Sequence, residues 1–242
     1  MHASDPARFY IDGGYARQNP DWDRADAQWK ADQVVRLLAA GKLAPRSVLE
    51  VGCGSGAVLG ALRAALPKAD LEGWDIAPDA SRFWPQQPDV VFTQGDILEA
   101  PASRHEVLLL LDVIEHVANP HDFLLRLAAR AEHVVLHIPL DLSAASVLRE
   151  TPLLGQRHQV GHIHYFTRGL ALELLRECGY EVLQARFTGA HLRRRHSAAG
   201  RAASLVRRAT FALLGRETGV RLLGGDTLIV LARAPRATED GR

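Results

Sequence analysis

This sequence has few cysteines, few lysines and no long apolar run, and each shortage narrows what the protein can be. Its two cysteines, Cys53 and Cys178, form no Cys-x-x-Cys pair, so we expect neither a disulfide framework nor a cysteine-based zinc site. A reducing compartment, the cytoplasm, is the natural interpretation. No stretch approaches the roughly 18 apolar residues of a membrane span, and residues 1–8 lack the apolar segment of a secretion signal.

The charge composition is equally restrictive. The formal net charge of +1 gives no reason to expect a nucleic acid partner. Lysine occurs only at positions 30, 42 and 68 of an arginine-rich chain. We interpret this bias as genomic base composition rather than function.

The apolar pattern of the 242 residues predicts one α/β domain. Hydrophobic residues make up 47% of the chain, enough for a full core. Strand-like apolar runs alternate with helix-length segments, which is typical of a doubly wound parallel sheet. Strands are predicted at 47–51, 71–75, 90–93, 107–111, 133–138, 180–187 and 227–232, and helices at 26–40, 57–66, 121–131 and 169–178. We divide the chain into an N-terminal arm and helix (1–45, irregular before Arg24), a main domain (46–234) and a flexible tail (235–242).

A glycine-rich turn at residues 48–56 is the most informative segment. An apolar strand ends in the acid Glu50, and three alternating glycines follow: Gly52, Gly54 and Gly56. Glycines at such a turn let a ligand approach the bare backbone. Glu50 suits amine or hydroxyl donors and repels phosphate. The loop also matches the dinucleotide pattern GxGxxG/A, however, so NAD(P) binding is the rival interpretation.

Two further acids follow the next two strands. Asp75 ends the second strand, where a carboxylate can accept hydrogen bonds from both ribose hydroxyls of an adenosine ligand. Asp96 follows the third strand. An apolar residue comes directly after each acid, Ile76 and Ile97. Because parallel strands end at one edge of the sheet, the three acids predict a single ligand site.

Histidines supply the candidate catalytic groups. His116 follows the fourth strand, and in a helix it would share a face with Asp112 and Glu115. His162 and His164 lie in residues 158–166, which we predict to be a loop after the fifth strand. Each of these histidines could remove a proton near pH 7, and Asp141 could orient one of them. Structural roles remain the alternative, and a zinc site at His162 and His164 lacks further ligands.

A basic segment at residues 190–225 separates the last two predicted strands. It carries eight arginines against Glu217, with interleaved apolar residues. Such a segment can contact an anionic membrane or an anionic substrate, or form a solvated lid that packs its apolar side on the sheet.

Together these motifs resemble those of the class I S-adenosylmethionine (SAM) dependent methyltransferases. The sequence is similar to an uncharacterised bacterial group that shares His-Ile-Pro-Leu-Asp-Leu (137–142) and Gly-His-Ile-His-Tyr-Phe-Thr (161–167). The resemblance implies a seven-stranded Rossmann-like sheet, mostly parallel with an antiparallel last strand, an N-terminal helical arm and a basic helical insertion before the last strand. It implies SAM as cofactor, S-adenosylhomocysteine (SAH) as product, and cofactor contacts from the loop glycines, the residues after each strand and Asp112.

The resemblance leaves the acceptor open. Methyl transfer to O, N or C of a small-molecule, sugar or lipid-linked acceptor is the main expectation. The alternatives are a non-catalytic SAM-binding regulatory or scaffold protein, and a membrane-associated quinone or lipid O-methyltransferase. Asp112, Glu115 and His116 also resemble the metal triad of ubiquinone-pathway O-methyltransferases, but no metal is predicted because many relatives with Glu-His bind none. The arm at residues 10–30 is expected to cover the cofactor.

Overall fold

The computed structural model describes residues 5–87, 89–101, 103–190 and 198–235, and these contain one seven-stranded sheet. The strands are β1 (Ser47–Val51), β2 (Asp70–Asp75), β3 (Val91–Gln94), β4 (His105–Leu111), β5 (Ala131–Pro139), β6 (Glu181–Phe187) and β7 (Thr227–Arg233). Their order is β3-β2-β1-β4-β5-β7-β6, and β7 runs antiparallel to both β5 and β6. The predicted doubly wound sheet with an antiparallel last strand is confirmed.

Helices cover both faces of this sheet. The α-helices are α1 (Arg8–Ile11), α2 (Gly14–Gln18), α3 (Ala27–Ala40), α4 (Ala57–Ala65), α5 (Pro120–Leu127), α6 (Ala144–Arg149), α7 (Thr151–Gln159), α8 (Arg168–Glu177), α9 (Ala198–Leu214) and α10 (Arg216–Leu223). Short 3-10 segments occupy Arg24–Asp26, Pro78–Gln86 and Ala128–Arg130.

The structure corrects three local predictions. The arm before Arg24 is not wholly irregular, because it contains α1 and α2. The segment after β5 contains α6 and α7. His158 and Gln159 are still helical, so the loop begins two residues later than the predicted start at residue 158. The helix predicted at 121–131 ends at Leu127 and gives way to a 3-10 turn.

The core consists of two apolar layers, one on each face of the sheet. Strand β4 contributes to both, since Leu108 and Leu110 pack in one layer while Val107, Leu109 and Leu111 pack in the other. Burying each such leucine contributes about 1.5–3 kcal/mol. Because β4 is buried on both faces, its sequence is a continuous apolar run rather than an alternating one.

The chain order reverses beside β1, which pairs with β2 on one side and β4 on the other. A crevice therefore opens at the carboxyl ends of β1 and β4, the usual ligand position in open α/β sheets.

The basic segment contains α9 and α10, and Asp226 holds its base against the sheet. Asp226 accepts hydrogen bonds from the backbone amides of Gly189 and Ala190, at 3.0 and 3.1 Å, and forms a 2.7 Å ion pair with Arg216. Its side chain is fully buried. Arg193, Arg194, Arg195 and the tail beyond residue 235 lie outside the described residues, and the domain boundaries stay a prediction.

None of the helices described here combines the length and the apolar character that a membrane span requires.

Candidate active site

A cavity of about 1240 Å³ lies at the carboxyl ends of β1, β2, β4 and β5, between the sheet edge and the N-terminal arm. Its walls include most of the predicted site residues: Glu50, Gly52, Gly54, Asp75, Ile76, Asp96, Ile97, Asp112, His116 and His162. The strands supply the floor because their ends meet at one edge. The arm supplies the cover through Tyr10, Tyr15 and Trp22.

The glycine loop adopts backbone conformations that side chains rarely tolerate. All three glycines have positive φ, +73° at Gly52, +51° at Gly54 and +71° at Gly56. A Cβ at Gly56 would lie 2.3 Å from Cζ of Phe92. A Cβ at Gly54 would lie 3.3 Å from the Trp22 ring, which stands directly over the loop. The sequence therefore needs glycine here for both conformation and close approach.

Glu50 is a buried carboxyl group without a complete set of partners. It is 2% exposed, and its Oε2 accepts no hydrogen bond from any described residue. Burial raises its pKa to about 8, although the nearby Lys30 opposes the shift. Trp22 Nε1, also buried in the cavity wall, likewise has no hydrogen-bond partner in the described part of the chain. The cavity thus presents an acceptor and a donor that a polar ligand can satisfy.

Asp75 connects the glycine loop to the end of β2. Its Oδ2 accepts from the amide of Gly54 at 2.7 Å, and its Oδ1 accepts from Ala77 at 2.8 Å. Burial raises its pKa, while the two amides lower it. These bonds fix the carboxylate at the cavity wall and leave lone pairs for ligand hydroxyls.

The residues after β3 are less enclosed. Asp96 is exposed and accepts from the amide of Leu98 at 2.8 Å. Ile97 is 2% exposed and packs with the core, so only part of its surface reaches the cavity. Ile76 is half-buried at the cavity wall.

Asp112 is the centre of a charged network rather than a free acid. Lys30 Nζ lies 2.8 Å from its Oδ2, and His137 Nδ1 donates to its Oδ1 at 2.6 Å. Burial alone would raise the pKa of Asp112, but His137 and Lys30 hold it well below its usual range. His137 Nε2 contacts Thr227 Oγ1 at 2.9 Å, which ties the network to β7.

His116 lies in a turn after β4, not in a helix, so the helical face predicted for Asp112, Glu115 and His116 does not form. Its Nδ1 lies 2.7 Å from Tyr10 Oη and 3.1 Å from the carbonyl of Gly161. Burial, followed by the neighbouring His162, lowers the pKa of His116 to about 4. This histidine is therefore neutral near pH 7.

His162 and His164 are separated by the fold. His162 is 6% exposed and donates from Nδ1 to Asp141 Oδ2 at 2.7 Å, so Asp141 orients a histidine as the sequence suggested. Its ring stacks edge-on against His116, with centroids 4.8 Å apart. His164 instead faces the carbonyl of Ala118 at 3.4 Å and does not line the cavity.

Three residues at the cavity wall were not identified from the sequence as part of the site. Lys30 was attributed to the general composition, yet its scarcity in an arginine-rich chain was a usable signal. His137 begins the His-Ile-Pro-Leu-Asp-Leu motif but was given no role, and Asp226, directly before the last predicted strand, had no motif to mark it. Glu115 was named only as part of a metal triad, and the structure buries it completely beside His116 and His162.

Comparison with known proteins now bears on this cavity. A family model described as "Methyltransferase domain" matches residues 22–185, more than half of the chain. No curated protein matches the chain.

Several solved structures share the fold. A chain of the Haloferax volcanii complex that contains the Trm112 methyltransferase activator has a TM-score of 0.66 at 21% identity, covering 96% of this chain and 99% of that one. The plantazolicin methyltransferase BpumL, solved with a desmethylPZN analog and SAH, has a TM-score of 0.62 at 17% identity, covering 96% and 94%. The N-methyltransferase NodS of Bradyrhizobium japonicum WM9, solved with SAH, has a TM-score of 0.53 at 16% identity, covering 86% of each chain. At these identities the likeness shows the fold alone.

Proposed function

This chain belongs to the methyltransferase-domain family, and we propose that it transfers a methyl group from SAM, bound in the cavity, to an O, N or C atom of a small-molecule, sugar or lipid-linked acceptor. The observation that carries the proposal is the buried, incompletely partnered Glu50 beneath the glycine loop. A cytoplasmic location is part of the proposal, because both cysteines are free and buried.

The polar groups of the cavity match the parts of SAM. Asp75 would accept from the ribose hydroxyls, and Ile76 with Ile97 would border the adenine. At the amino-acid end, Glu50 would accept hydrogen bonds from the ammonium group, and Trp22 Nε1 would donate to the carboxylate. A dinucleotide fits less well, because a carboxylate below the glycine loop repels the pyrophosphate that such loops bind.

The chain's own residues supply positioning more than acid–base chemistry. Bound SAM provides a methyl group on a positively charged sulfur, which is already a good leaving group. Holding the acceptor atom in line with that methyl group and excluding water is worth about 7–11 kcal/mol. The aromatic cover of Tyr10, Tyr15 and Trp22 excludes water from the cavity.

A base is required only when the acceptor atom keeps its proton at working pH. His162 suits that role best, because Asp141 holds its Nδ1–H and leaves Nε2 as an acceptor. His116 is neutral near pH 7 because its pKa is lowered to about 4, while His164 lies outside the cavity walls and is the weakest of the three candidates.

The first test is a calorimetric titration with SAH and, in parallel, with NADH. We expect SAH to bind and NADH not to bind. Asp75→Ala should weaken SAH binding about 10–100-fold, because hydrogen bonds to a charged group are worth about 1.5–3 kcal/mol. Asp70→Ala, at the exposed opposite end of β2, is the matched control and should bind normally. NADH binding in place of SAH would refute the proposal, and SAH binding without turnover on a broad acceptor panel would favour a non-catalytic SAM-binding protein.

A membrane-associated quinone or lipid O-methyltransferase is the second candidate, favoured by the surface of α9. Leu205, Val206 and Leu213 are 68%, 58% and 83% exposed in the arginine-rich segment. Apolar side chains beside basic ones suit the surface of an anionic membrane. Leu205→Glu with Leu213→Glu should abolish cosedimentation with vesicles of anionic phospholipid, while Leu170→Glu in α8 should not. Absence of wild-type cosedimentation at low salt would remove this candidate.

A further inference from the structure

Glu115, His116 and His162 converge on one small space at the cavity wall. Glu115 Oε1 lies 3.9 Å from His116 Nε2 and 4.0 Å from His162 Nε2, and the three atoms lie within 4.8 Å of one another. The backbone creates this meeting, since the amides of Ile163 and His164 donate to the carbonyl of Glu115 at 2.9 and 3.1 Å. Those bonds hold the 161–164 loop against the turn after β4.

The hydrogen bonds of His116 determine which ring nitrogen is free. Tyr10 has one hydroxyl proton, and it donates that proton to the carbonyl of Val160 at 2.8 Å. The carbonyl of Gly161 can only accept. His116 Nδ1 must therefore carry the proton that these two acceptors share, which leaves the Nε2 lone pair aimed at Glu115.

The same reasoning applies to His162. Its Nδ1 donates to Asp141 Oδ2 at 2.7 Å, so Nε2 is the ring nitrogen that faces Glu115. Donation of the second ring N–H to a carboxylate or carbonyl is how metal-binding histidines are oriented. Both imidazoles have this support, one from an aspartate and one from a backbone carbonyl with a tyrosine.

Glu115 is the third group with lone pairs in this space, and no described residue donates a hydrogen bond to its carboxylate. Its side chain is 1% exposed, and neither carboxylate oxygen accepts a hydrogen bond from the described residues. Two imidazole nitrogens thus face a buried carboxyl group that receives no hydrogen bond from the described residues. Burying such groups without compensation is unfavourable, whereas a cation between them would satisfy all three.

We propose that Glu115, His116 and His162 bind a divalent first-row transition-metal ion, of which zinc is the probe of choice, with open coordination positions toward the cavity. Two imidazoles and one carboxylate suit zinc and its neighbours better than magnesium, which prefers oxygen ligands. Ligands of an ion with bonds of about 2.0–2.2 Å lie roughly 3–3.5 Å apart, so the three groups need to approach one another by about 0.5–1.5 Å. This site differs from the triad suggested by sequence, because Asp112 is engaged by Lys30 and His137.

The open positions deepen the proposed function, and this step depends on it. His116 and His162 line the cavity, so an acceptor oxygen could coordinate the ion. A bound divalent ion lowers the pKa of a coordinated hydroxyl, so with metal bound the ion takes the place of His162 Nε2 in activating the acceptor. The acceptor class favoured by this arrangement is a molecule whose hydroxyl is the methylated group.

The test is metal binding by the full chain after removal of metal with a chelator. Titration with Zn²⁺ should show one tight site per chain, and Co²⁺ should give the visible absorption of a low-coordinate ion with nitrogen and oxygen ligands. Glu115→Gln and His162→Gln should each weaken Zn²⁺ binding at least about 10–100-fold and remove the Co²⁺ absorption. His158→Gln, an exposed histidine at the end of α7, is the matched control and should bind metal normally.

Titration of each variant with SAH separates the two proposals and shows that the variants fold. Retained SAH binding by His162→Gln, with the metal site lost, supports the metal site. Equal Zn²⁺ binding by wild type, Glu115→Gln and His162→Gln would overturn it, as would wild type that binds SAH but no Zn²⁺. In that last case the methyltransferase proposal stands alone, whereas Zn²⁺ binding without SAH binding leaves only the metal site.

Discussion

Glu50 should make cofactor binding release a proton. In the free protein its pKa is raised to about 8 by burial, so about nine tenths of the molecules carry a neutral Glu50 at pH 7. An ammonium group placed beside it favours the ionised form, because an opposite charge lowers the pKa of a carboxyl group. Each binding event at pH 7 should then release about 0.9 proton from this residue.

The same equilibrium sets the pH dependence of affinity. At pH values below the pKa of Glu50 in the free protein, each decrease of one pH unit raises the ratio of neutral to ionised Glu50 tenfold. The apparent Kd for SAH should therefore rise about 50-fold between pH 8 and pH 6, as long as the bound carboxylate stays ionised.

Calorimetry measures this directly. At pH 7 the observed binding enthalpy is plotted against the ionisation enthalpy of several buffers, and the slope is the number of protons released. Glu50→Gln keeps the shape of the side chain but cannot titrate, so its slope should be near zero and its weaker affinity nearly independent of pH. A zero slope in wild type, or an equal slope in Glu50→Gln, would refute the assignment of Glu50 to the ammonium group.

Glu50 should also affect the stability of the free protein. Its folded pKa of about 8 lies above its ordinary value of 4.5, so the folded state binds more protons than the unfolded state between these values. Stability is then greatest below pH 4.5 for this group and falls as pH rises through 8, by at most about 5 kcal/mol. Glu50→Gln should melt at a higher temperature than wild type at pH 8, and the gain should shrink toward pH 5. An equal or lower melting temperature at pH 8 would contradict this sign.

Three further substitutions test the surrounding structure. Gly56→Ala should cost about 2–4 kcal/mol in urea unfolding, because a Cβ there meets Phe92 at 2.3 Å and the positive φ is strained; a loss below 0.5 kcal/mol would contradict this. Lys30→Met should lower the free energy of unfolding by about 2–3 kcal/mol at pH 7. The difference should shrink in acid as Asp112 takes up a proton, because the pKa of Asp112 is depressed and its stabilisation is lost as pH falls. A difference that does not change with pH would refute the pairing. Asp226→Ala should cost about 3 kcal/mol by leaving Arg216 and three backbone amides without their acceptor, and Asp89→Ala at an exposed turn serves as its control.

Local sequence was sufficient to predict the sheet and the glycine-loop side of the cavity. The apolar runs predicted each of the seven strands because strand burial depends on a short repeating pattern. Glu50 and Asp75 were identifiable because each directly ends a strand, and parallel strands end at one edge. The glycine loop needed only its own residues, since positive φ is a local property of the backbone.

The histidine side of the cavity depended on contacts between segments far apart in sequence. Tyr10 meets His116, Lys30 meets Asp112, and Glu115 meets His162, across 47 to 106 residues. No spacing rule predicts such pairs, because they arise from how the arm folds over the sheet and how the 161–164 loop bonds to the backbone of Glu115. His162 and His164 are two residues apart and looked equivalent in sequence, yet only His162 lines the cavity.

The sequence by itself therefore determined the fold, the glycine loop and the acids at the strand ends, since each depends on interactions within a few residues or on the shared geometry of parallel strands. The tertiary structure alone decided which charges are paired, which histidine nitrogens are free and which carboxylates have no partner. The reason is that hydrogen bonds and charge interactions act over a few ångströms, and those distances exist between distant segments only once the chain has packed.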